Sequence, residues 1–545
     1  MAGSSARPAP AALIVRGADV YDGSGADPRR ADILIRDGRI AAVRERASDE
    51  APATARVIDA DGLAAAPGFV DIHGHSDLTL LADPRGLSKL AQGITTEACG
   101  QCGMAPFPVP DGDRSEFDAL LAYSWAPVEI SWRDAAGYLA ALDRQPLAIN
   151  LCPFLGANVL VVVTGAEPDD PSPAVAAARE MPGLDDLWGI SFGLGYEPLY
   201  HWSTDALRPL AELARGKVLA SHIRSESAGL LDSIREMIDL LPPGTHLEIA
   251  HLKASGQANW GKVADALALI EGAVAEGVDI GYNSYPYTAG STFLAATLPD
   301  WLTREGQARA VEMLRQPEVR ERLRRQHDER PTFPRLSPER VLIASIGAEE
   351  LAWAEGKTLA AIAKAMGTDA HEAAVEILLK SDGRATAVFF TMSEDDVRRA
   401  LAHPLGSLCT DGLAFCPDGP GRIGHPHPRC YGAFPRFLGR YVRDEGLVPL
   451  AEAIRKCTSL PATRLGLCDR GLLREGYAAD IVLFDPARVI DTATYEAPHS
   501  LPEGIEYVIV GGVVSIAEGR FTGELGGRAL RYSTDSVAGE AGGGP

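Results

Sequence analysis

Residues 67–77, PGFVDIHGHSD, join a short apolar run to a pair of histidines. The run Phe69–Ile72 predicts a buried strand that ends directly before His73. Because side chains alternate along an extended chain, His73 and His75 lie on the same face of it. Two imidazoles on one face at a strand end can bind one divalent metal ion, whereas the alternative is a pair of surface histidines on a loop.

From residue 67 to about 470, short apolar strands alternate with longer helical segments. Repeated alternation of this kind predicts a parallel sheet covered by helices. Several of the strands are followed by a polar residue, which is typical of a (β/α)8 barrel with its active site at the C-terminal strand ends. The predicted strands beyond the opening stretch include 148–151, 189–192, 217–220, 247–250 and 279–282.

Two segments with short strands flank this barrel, residues 11–66 and 471–531, and we expect them to form one small β domain from both chain ends. In the first segment, Asp37-Gly38 between apolar runs predicts a hairpin. The ends themselves, residues 1–10 and 532–545, are predicted to be disordered because they are rich in small and polar residues.

Residues from about 291 to 345 interrupt the barrel pattern and are rich in Arg and Glu. We predict that this insertion is helical from Thr303 to Arg325. It forms either a lid over the barrel mouth or a solvated helical hairpin without a role.

The 545-residue chain is 46% hydrophobic and carries a formal net charge of −22. The composition is typical of a globular protein, and the negative charge argues against nucleic-acid and anionic-membrane partners. We find no apolar run of transmembrane length, and the N-terminal MAGSSARPAP lacks the apolar core of a secretory signal. The eight scattered cysteines favour free or metal-bound thiols in a reducing cytoplasm.

Further metal-ligand candidates follow later strands. Cys102 lies in the stretch GQCG after the predicted strand Ile94–Glu97, where a thiolate can bind zinc. The spacing of Cys99 and Cys102 also fits a redox or structural-zinc CxxC pair, although no second CxxC follows. His222 and His251 each come directly after a predicted strand. Either one alone would be interpreted as an ordinary polar residue, but with the first histidine pair they form a series of histidines at strand ends, which favours metal binding.

Asp411, in CTDG, also follows a predicted strand. A carboxylate beside a metal ion can both bind the ion and carry a proton. An Asp-Gly pair alone predicts only a turn, so the interpretation of Asp411 depends on the other candidates. His425 and His427 lie in a loop rich in Pro and Gly, where we expect solvated side chains.

These motifs resemble the amidohydrolase superfamily of metal-dependent hydrolases and, within it, the D-aminoacylases or N-acyl-D-amino-acid deacylases. The resemblance extends from about residue 11 to 531. The motifs that carry it are, in chain order, PGFVDIHGHSD, GQCG, SHIRSE, AHLKASG, YPYTAGST, TDG, PHPR, FPRFLGRYVRDEG, RKCTSLPATRLGLCDRG and GYAADIVLFDP.

The resemblance implies a (β/α)8 barrel with a small β-sandwich domain and one tightly bound zinc ion. The tight zinc site would be formed by Cys102, His222 and His251, with the cysteine in the place where most relatives have a carboxylated lysine. Cys102 is also a candidate bridge to a second, weaker metal position. That position would be lined by His73, His75 and Asp411.

The activity that the resemblance implies is hydrolysis of small N-acyl-D-amino acids to a carboxylate and a free D-amino acid. Asp411 would be the general acid/base, which takes a proton from water to give a metal-bound hydroxide and returns it to the leaving nitrogen. The cationic Lys253 and Arg429 would bind the substrate carboxylate. The full set of implied substrate-binding residues is Tyr196, Lys253, Tyr285, Ser291 and Arg429.

Two features depart from the family pattern. The loop between Asp411 and Arg429 contains the extra stretch AFCPDGPGRIGH, which bears on the placement of Arg429 and on substrate preference. GQCG also replaces the more familiar GNCG beside the candidate ligand.

The alternatives are a cyclic-amide hydrolase of the dihydropyrimidinase or dihydroorotase type, a dipeptide hydrolase, and a non-enzymatic relative. The cyclic-amide hydrolases need a lysine for carboxylation where this chain has Cys102. Non-enzymatic relatives usually lose metal ligands, whereas all the candidates are present here. The sequence leaves the oligomeric state open.

Overall fold

The computed structural model describes residues 12–50, 52, 54–325 and 336–533. The predicted disordered segment 1–10 lies outside these residues, as does the predicted tail from residue 534 onward. At the start of that tail, Tyr532 is ordered against the barrel. Its ring lies 5.6 Å from that of Trp188, and its N–H donates to the carbonyl of Asp186.

The strands of the described residues are, in chain order, β1 (Leu13–Val20), β2 (Arg29–Arg36), β3 (Arg39–Arg44), β4 (Arg56–Asp59), β5 (Ala64–Pro67), β6 (Phe69–Asp71), β7 (Ile94–Cys99), β8 (Asn150–Pro153), β9 (Leu155–Gly156), β10 (Gly189–Gly193), β11 (Val218–His222), β12 (His246–Ile249), β13 (Ile280–Ser284), β14 (Gly290–Phe293), β15 (Val341–Ser345), β16 (Thr386–Phe389), β17 (Gly406–Leu408), β18 (Ile481–Phe484), β19 (Ile505–Val510), β20 (Val513–Ala517) and β21 (Arg520–Phe521).

The α-helices are α1 (Thr79–Ala82), α2 (Leu87–Leu90), α3 (Ser115–Leu121), α4 (Ala135–Leu142), α5 (Ala157–Thr164), α6 (Ser172–Glu180), α7 (Thr204–Ala211), α8 (Leu230–Leu240), α9 (Lys262–Ala275), α10 (Asp300–Thr303), α11 (Gln307–Met313), α12 (Pro317–Arg325), α13 (Leu359–Met366), α14 (Ala370–Lys380), α15 (Glu394–Ala402), α16 (Arg429–Arg436), α17 (Leu450–Cys457) and α18 (Ser459–Leu465). A π-helix, Phe437–Asp444, continues directly from α16.

The central element is a parallel barrel. One parallel sheet contains β6, β7 and β8, and a second runs in the order β9, β10, β11, β12, β13 and β17. Because β8 and β9 are consecutive pieces of one extended segment, the two sheets together supply the eight strand positions of a (β/α)8 barrel. Their residues are buried on both faces, as expected for strands covered by helices. The predicted fold class is confirmed.

The barrel closes where its first strand, β6, meets its last, β17. The N–H of Asp411 donates to the carbonyl of His73 at 2.9 Å, and the N–H of His75 donates to the carbonyl of Gly412 at 3.0 Å. Both bonds lie just beyond the C-terminal ends of the two strands, so the segments that carry His75 and Asp411 are joined directly.

Both chain ends contribute to one nine-stranded sheet, as predicted. β1 lies at its centre and pairs with β2, β4 and β5, while β18 pairs with β5 and so joins the C-terminal strands to it. The predicted hairpin is present between β2 and β3. Asp37 and Gly38 have φ angles of 52° and 74°, the left-handed values that a two-residue hairpin turn requires.

The insertion is longer than the sequence pattern indicates. β14, β15 and β16 form a three-stranded antiparallel sheet, which with α10–α14 surrounds a separate hydrophobic core. The stretch predicted to be helical, Thr303 to Arg325, contains the separate helices α11 and α12, because the chain breaks at Gly306, whose φ is 105°, and again before Pro317. The residue limits that we assign to the domains, 11–66, 67–470 and 471–531, stay predictions. Among the described residues, every helix is too short or too polar to cross a membrane.

Asp480 links the sheet from the chain ends to the barrel. Its Oδ2 accepts hydrogen bonds from Arg470 at 2.9 Å and from Asn150 on β8 at 3.1 Å, and its Oδ1 accepts from the N–H of Gly511. We expect Asp480→Ala to lower the free energy of urea unfolding by about 3–5 kcal/mol, because buried donors lose their shared carboxylate. The control is Asp59→Ala, which breaks an exposed ion pair with Arg16 and should cost less than about 1 kcal/mol. Equal effects would contradict a linking role for Asp480.

Candidate metal centre

The predicted metal ligands all lie at the C-terminal ends of barrel strands. Two follow β6, one follows β7, one ends β11, one follows β12 and one follows β17. All six side chains are buried, and they meet because parallel strands present their C-terminal ends at one mouth of the barrel. The six residues are His73, His75, Cys102, His222, His251 and Asp411.

Cys102 is at the centre of this ligand cluster. Its Sγ lies 3.3 Å from Nε2 of His73, 3.8 Å from Nδ1 of His222 and 3.6 Å from Nε2 of His251. The nitrogens of His222 and His251 are only 3.1 Å apart. Cys102 therefore contacts both later histidines and His73 of the first pair.

Asp411 lies on the other side of the cluster. Its Oδ1 is 3.2 Å from Nε2 of His75 and 3.6 Å from Nε2 of His73. Its Oδ2 is 2.7 Å from Nη1 of Arg429. One carboxylate oxygen therefore faces the histidine pair and the other faces a cation.

Three of the ligands have a backbone conformation that non-glycine residues rarely adopt. The φ angles of Cys102, His251 and Asp411 are 56°, 34° and 47°. Such strain persists only where neighbouring groups hold the chain, and it is common at functional sites. Here the N–H of His251 donates to Oδ1 of Asn283 at 2.7 Å, and the N–H of Asp411 donates to the carbonyl of His73.

Burial shifts the pKa values of several candidate ligands. It lowers the pKa of His222 to about 3 and that of His73 well below its ordinary value, so both imidazoles are neutral near pH 7. It raises the pKa of the Cys102 thiol well above its ordinary value, because a thiolate is costly in a buried site. Burial alone would also raise the pKa of Asp411, but the charge of Arg429 together with the neighbouring histidines outweighs burial and holds that pKa well below the usual range.

The cluster fits a divalent metal ion. Cys102, His222 and His251 offer donor atoms that all lie within 4.8 Å of one another, and so do two further triplets, His73 with His75 and Cys102, and His73 with His251 and Asp411. Neutral imidazoles and a thiolate are ligands that zinc prefers, and a bound cation would stabilise the buried thiolate and carboxylate.

The CxxC alternative finds no support in the geometry. Cys99 and Cys102 are both free thiols. Cys99 interacts with Asp77 and Tyr138, and burial together with the charge of Asp77 raises the pKa of its thiol well above the ordinary value.

The predicted substrate-binding residues line one cavity of about 600 Å³ together with most of the ligands. The Tyr196 ring lies 4.7 Å from the ring of His222, and the Arg429 guanidinium lies 4.8 Å from the centre of the Tyr285 ring. The hydroxyl of Tyr285 is buried without a hydrogen-bond partner among the described residues. Ser291 accepts a bond from Arg429 through its carbonyl at 3.2 Å.

Lys253 is less available than the sequence suggests. Its Nζ donates to Oε1 of Glu226 at 2.5 Å and lies 2.7 Å from Nδ1 of His251. Glu226 is itself 2.9 Å from the same histidine nitrogen. A carboxylate behind a metal-binding histidine fixes the ring and leaves the other nitrogen free for the metal. Sequence reasoning missed this role of Glu226, whose only signal is its place in SHIRSE.

The expectation that His425 and His427 are solvated is wrong. His427 is only 2% exposed; its Nε2 lies 3.0 Å from the carbonyl of Ala289, and its Nδ1 accepts the N–H of Arg429. His425 lies 2.6 Å from the carbonyl of Tyr495. Each ring contacts a carbonyl of another segment, and these contacts hold the loop in place.

The fold and the cluster together define a class. A (β/α)8 barrel whose strand ends converge on buried thiol, imidazole and carboxylate ligands is the architecture of metal-dependent barrel enzymes. The family follows from comparison with known proteins.

A family model described as "Amidohydrolase family" matches residues 56–516. N-acyl-D-glutamate deacylase of Alcaligenes xylosoxydans xylosoxydans is 36% identical over 510 residues, which cover 92% of each chain. The crystal structure of N-acyl-D-glutamate deacylase from Bordetella bronchiseptica, complexed with zinc and a phosphonate mimic of the tetrahedral intermediate, is similar with a TM-score of 0.78, 31% identity and coverage of 95% of this chain and 99% of that one.

A solved D-aminoacylase, described for its binuclear metal centre with one-metal activation and second-metal attenuation, has a TM-score of 0.77 at 31% identity and covers 96% of this chain and 100% of its own. The chain belongs to the amidohydrolase family, in the group that contains the D-aminoacylases, and is a metal-dependent enzyme.

The central position of Cys102 gives a prediction for metal binding. We expect Cys102→Ala to lose zinc at stoichiometric concentrations, because the ligand shared by the other donors is gone. Added zinc at 100 times its dissociation constant should stabilise the wild type by about 2.7 kcal/mol and leave the variant unchanged. Cys152→Ala, which removes another buried free thiol in β8, is the matched control and should bind zinc normally. Zinc bound equally by both variants would exclude Cys102 as a ligand.

Proposed function

We propose that this enzyme hydrolyses the amide bond of N-acyl-D-amino acids and uses zinc as its metal. The observation that carries the proposal is the position of Arg429, a buried cation that reaches the same cavity as the ligand cluster. A substrate with a free carboxylate close to its scissile amide suits that arrangement. The named activities of the relatives support the same substrate class.

In this proposal Cys102, His222 and His251 hold the tight zinc ion. His73, His75 and Asp411 would line a second, weaker position, for which Cys102 is a candidate bridging ligand. Two observations support this division. The cysteine contacts donors of both groups. The solved D-aminoacylase is described as activated by one metal and attenuated by a second.

The bound metal would polarise the amide carbonyl and lower the pKa of an attacking water toward about 7. Asp411 takes the proton of that water on the oxygen that faces His73 and His75, and then returns it to the leaving nitrogen. The amine needs this proton because an amide anion leaves poorly. Arg429 holds the other oxygen of Asp411 and orients the carboxylate group.

Arg429 and Tyr285 bind the carboxylate of the substrate. Arg429 supplies a fork of donors suited to a carboxylate, and the Tyr285 hydroxyl supplies a further buried donor. The ammonium group of Lys253 is bound to Glu226, so Lys253 contributes its positive charge to the site and does not bind the substrate carboxylate directly. We also propose a reducing, cytoplasmic location, which is supported by the eight free cysteines.

The first test compares N-acetyl-D-amino acids with their L-enantiomers and with the corresponding D-amino-acid amides, with zinc analysis on the same sample. We expect release of the D-amino acid, with about one tight zinc ion per chain. The amides should be poor substrates because they lack the carboxylate for Arg429. Zinc without activity on either enantiomer would keep the metal site and contradict the substrate class.

Asp411→Ala tests the proton transfer. We expect kcat to fall by about 10²–10⁴, while zinc stays bound through the cysteine and the two later histidines. Asp418→Ala, an exposed residue of the same loop that pairs with Arg85, is the control and should keep its activity. An Asp411→Ala variant that retains most of its kcat would rule out this role.

A further inference from the structure

Three charged side chains are completely buried beneath the ligand cluster. The ammonium group of Lys89, on α2, lies 2.7 Å from Oδ2 of Asp71 and 2.8 Å from Oε2 of Glu97. It also donates to the hydroxyl of Thr410 at 2.6 Å. All four side chains have no solvent exposure. None of them contacts the cavity, so the proposed chemistry does not use them directly.

Asp71 connects this group to the segment that carries Asp411. Its Oδ1 accepts the backbone N–H of Thr410 at 2.9 Å, and its Oδ2 accepts the Thr410 hydroxyl. Asp71 is the last residue of β6, and Thr410 follows β17, so these bonds lie at the seam of the barrel. The side chain of Asp71 thus bonds across the seam to the residue directly before Asp411.

Glu97 connects the same group to the histidine pair. It accepts the backbone N–H of Ser76 at 2.9 Å and the Ser76 hydroxyl at 2.8 Å. Its carboxyl group also lies directly against Gly74, where an added Cβ would come within 2.3 Å of the Glu97 Cδ. The turn that holds His73 and His75 therefore rests on this carboxylate, and glycine between the histidines allows the contact.

The helix that carries Lys89 is tied to the loop beyond Asp411. The backbone N–H of Ser88 donates to the carbonyl of Phe415 at 2.9 Å, and the Ser88 hydroxyl accepts the N–H of Phe415 at 2.8 Å. Lys89 therefore cannot move independently of either ligand segment.

The burial of three charges is poor evidence that they stabilise the fold, because apolar side chains of the same volume often give an equal or greater stability. The lysine remains a cation in this environment. Burial would lower its pKa, but the charges of Asp71 and Glu97 outweigh burial and raise it. What an apolar replacement could not supply is the set of directed bonds to Thr410 and Ser76. The charged side chains therefore position the segments that contain Thr410 and Ser76.

We propose that Lys89 is a positioning residue of the metal centre, which through Asp71 and Glu97 fixes His73, His75 and Asp411 relative to one another across the barrel seam. This inference rests on the proposed metal-dependent function. It predicts an effect on metal binding, because ligands held in register bind an ion more tightly than ligands that must first be ordered.

The test compares Lys89→Met with Lys456→Met by zinc affinity in a chelator competition and by the absorption spectrum of the cobalt-loaded protein. Lys456 is matched to Lys89 in burial, being 1% exposed. It donates to the carbonyl of His403, before the N-terminal end of β17 and away from the metal centre. We expect Lys89→Met to bind zinc about 10–100-fold more weakly than wild type at the weaker position, which His73, His75 and Asp411 line, and to change the cobalt spectrum, while the tight zinc ion stays bound. Lys456→Met should change neither measurement.

Glu97→Gln is the second variant, which keeps the volume of the side chain and provides the answer if Lys89→Met does not fold. It should also weaken zinc binding at the weaker position and alter the cobalt spectrum. If the folded variants bind zinc at the weaker position within twofold of Lys456→Met and have an unchanged cobalt spectrum, the positioning role is overturned. A wild type that binds no divalent metal would overturn the proposed function and this inference together, whereas metal binding without deacylase activity leaves the inference standing.

Discussion

Two backbone hydrogen bonds join the first and last barrel strands just above the sheet, from Asp411 to the carbonyl of His73 and from His75 to the carbonyl of Gly412. The metal centre depends on this closure, because its ligands come from strands that are far apart in the sequence. In the six-stranded sheet, the backbone ladder positions His222 at the end of β11 and the end of β12, which His251 follows. Within the described residues, β6 and β17 do not form a backbone ladder across the seam. There, hydrogen bonds of the loops and of the Asp71 side chain position the ligand segments.

Electrostatics imposes a second constraint on the same cluster. A buried thiol has a raised pKa, and a buried carboxylate needs a positive partner, which Asp411 finds in Arg429. A bound divalent cation would satisfy both groups at once, and it would do so only in the folded protein, where the strands bring the donors together. Metal binding and folding of the barrel mouth are therefore linked. The strained backbone at Cys102, His251 and Asp411 is consistent with ligands held by the surrounding structure.

The sequence allowed prediction of what is encoded locally. Strand runs such as 189–192, the Asp37-Gly38 hairpin and the HxH pair each depend on a few neighbouring residues, and the structure has strands and a turn at those places. The sheet of the insertion could not be predicted in this way, because β14 pairs with β16 almost a hundred residues later. Lys89 was also missed, since nothing in a short helical segment distinguishes a lysine that is buried between two carboxylates from one that is solvated. The burial of His427 has the same cause, since its partners come from distant segments.

His427 also explains why a longer loop need not displace Arg429. The extra stretch, residues 414–425, is held by its own contacts, including the bond from Cys416 to the carbonyl of Gly421 and the ion pair of Asp418 with Arg85. Beyond it, His427 accepts the N–H of Arg429 and contacts the carbonyl of Ala289, two residues before the carbonyl of Ser291 that Arg429 itself binds. These bonds fix the start of α16, at Arg429, to the barrel mouth, after the end of the extra stretch. The extra residues 414–425 can therefore change the wall of the cavity while Arg429 stays beside Asp411. Recognition of the substrate carboxylate by Arg429 is in this way independent of the preference for a particular substrate side chain.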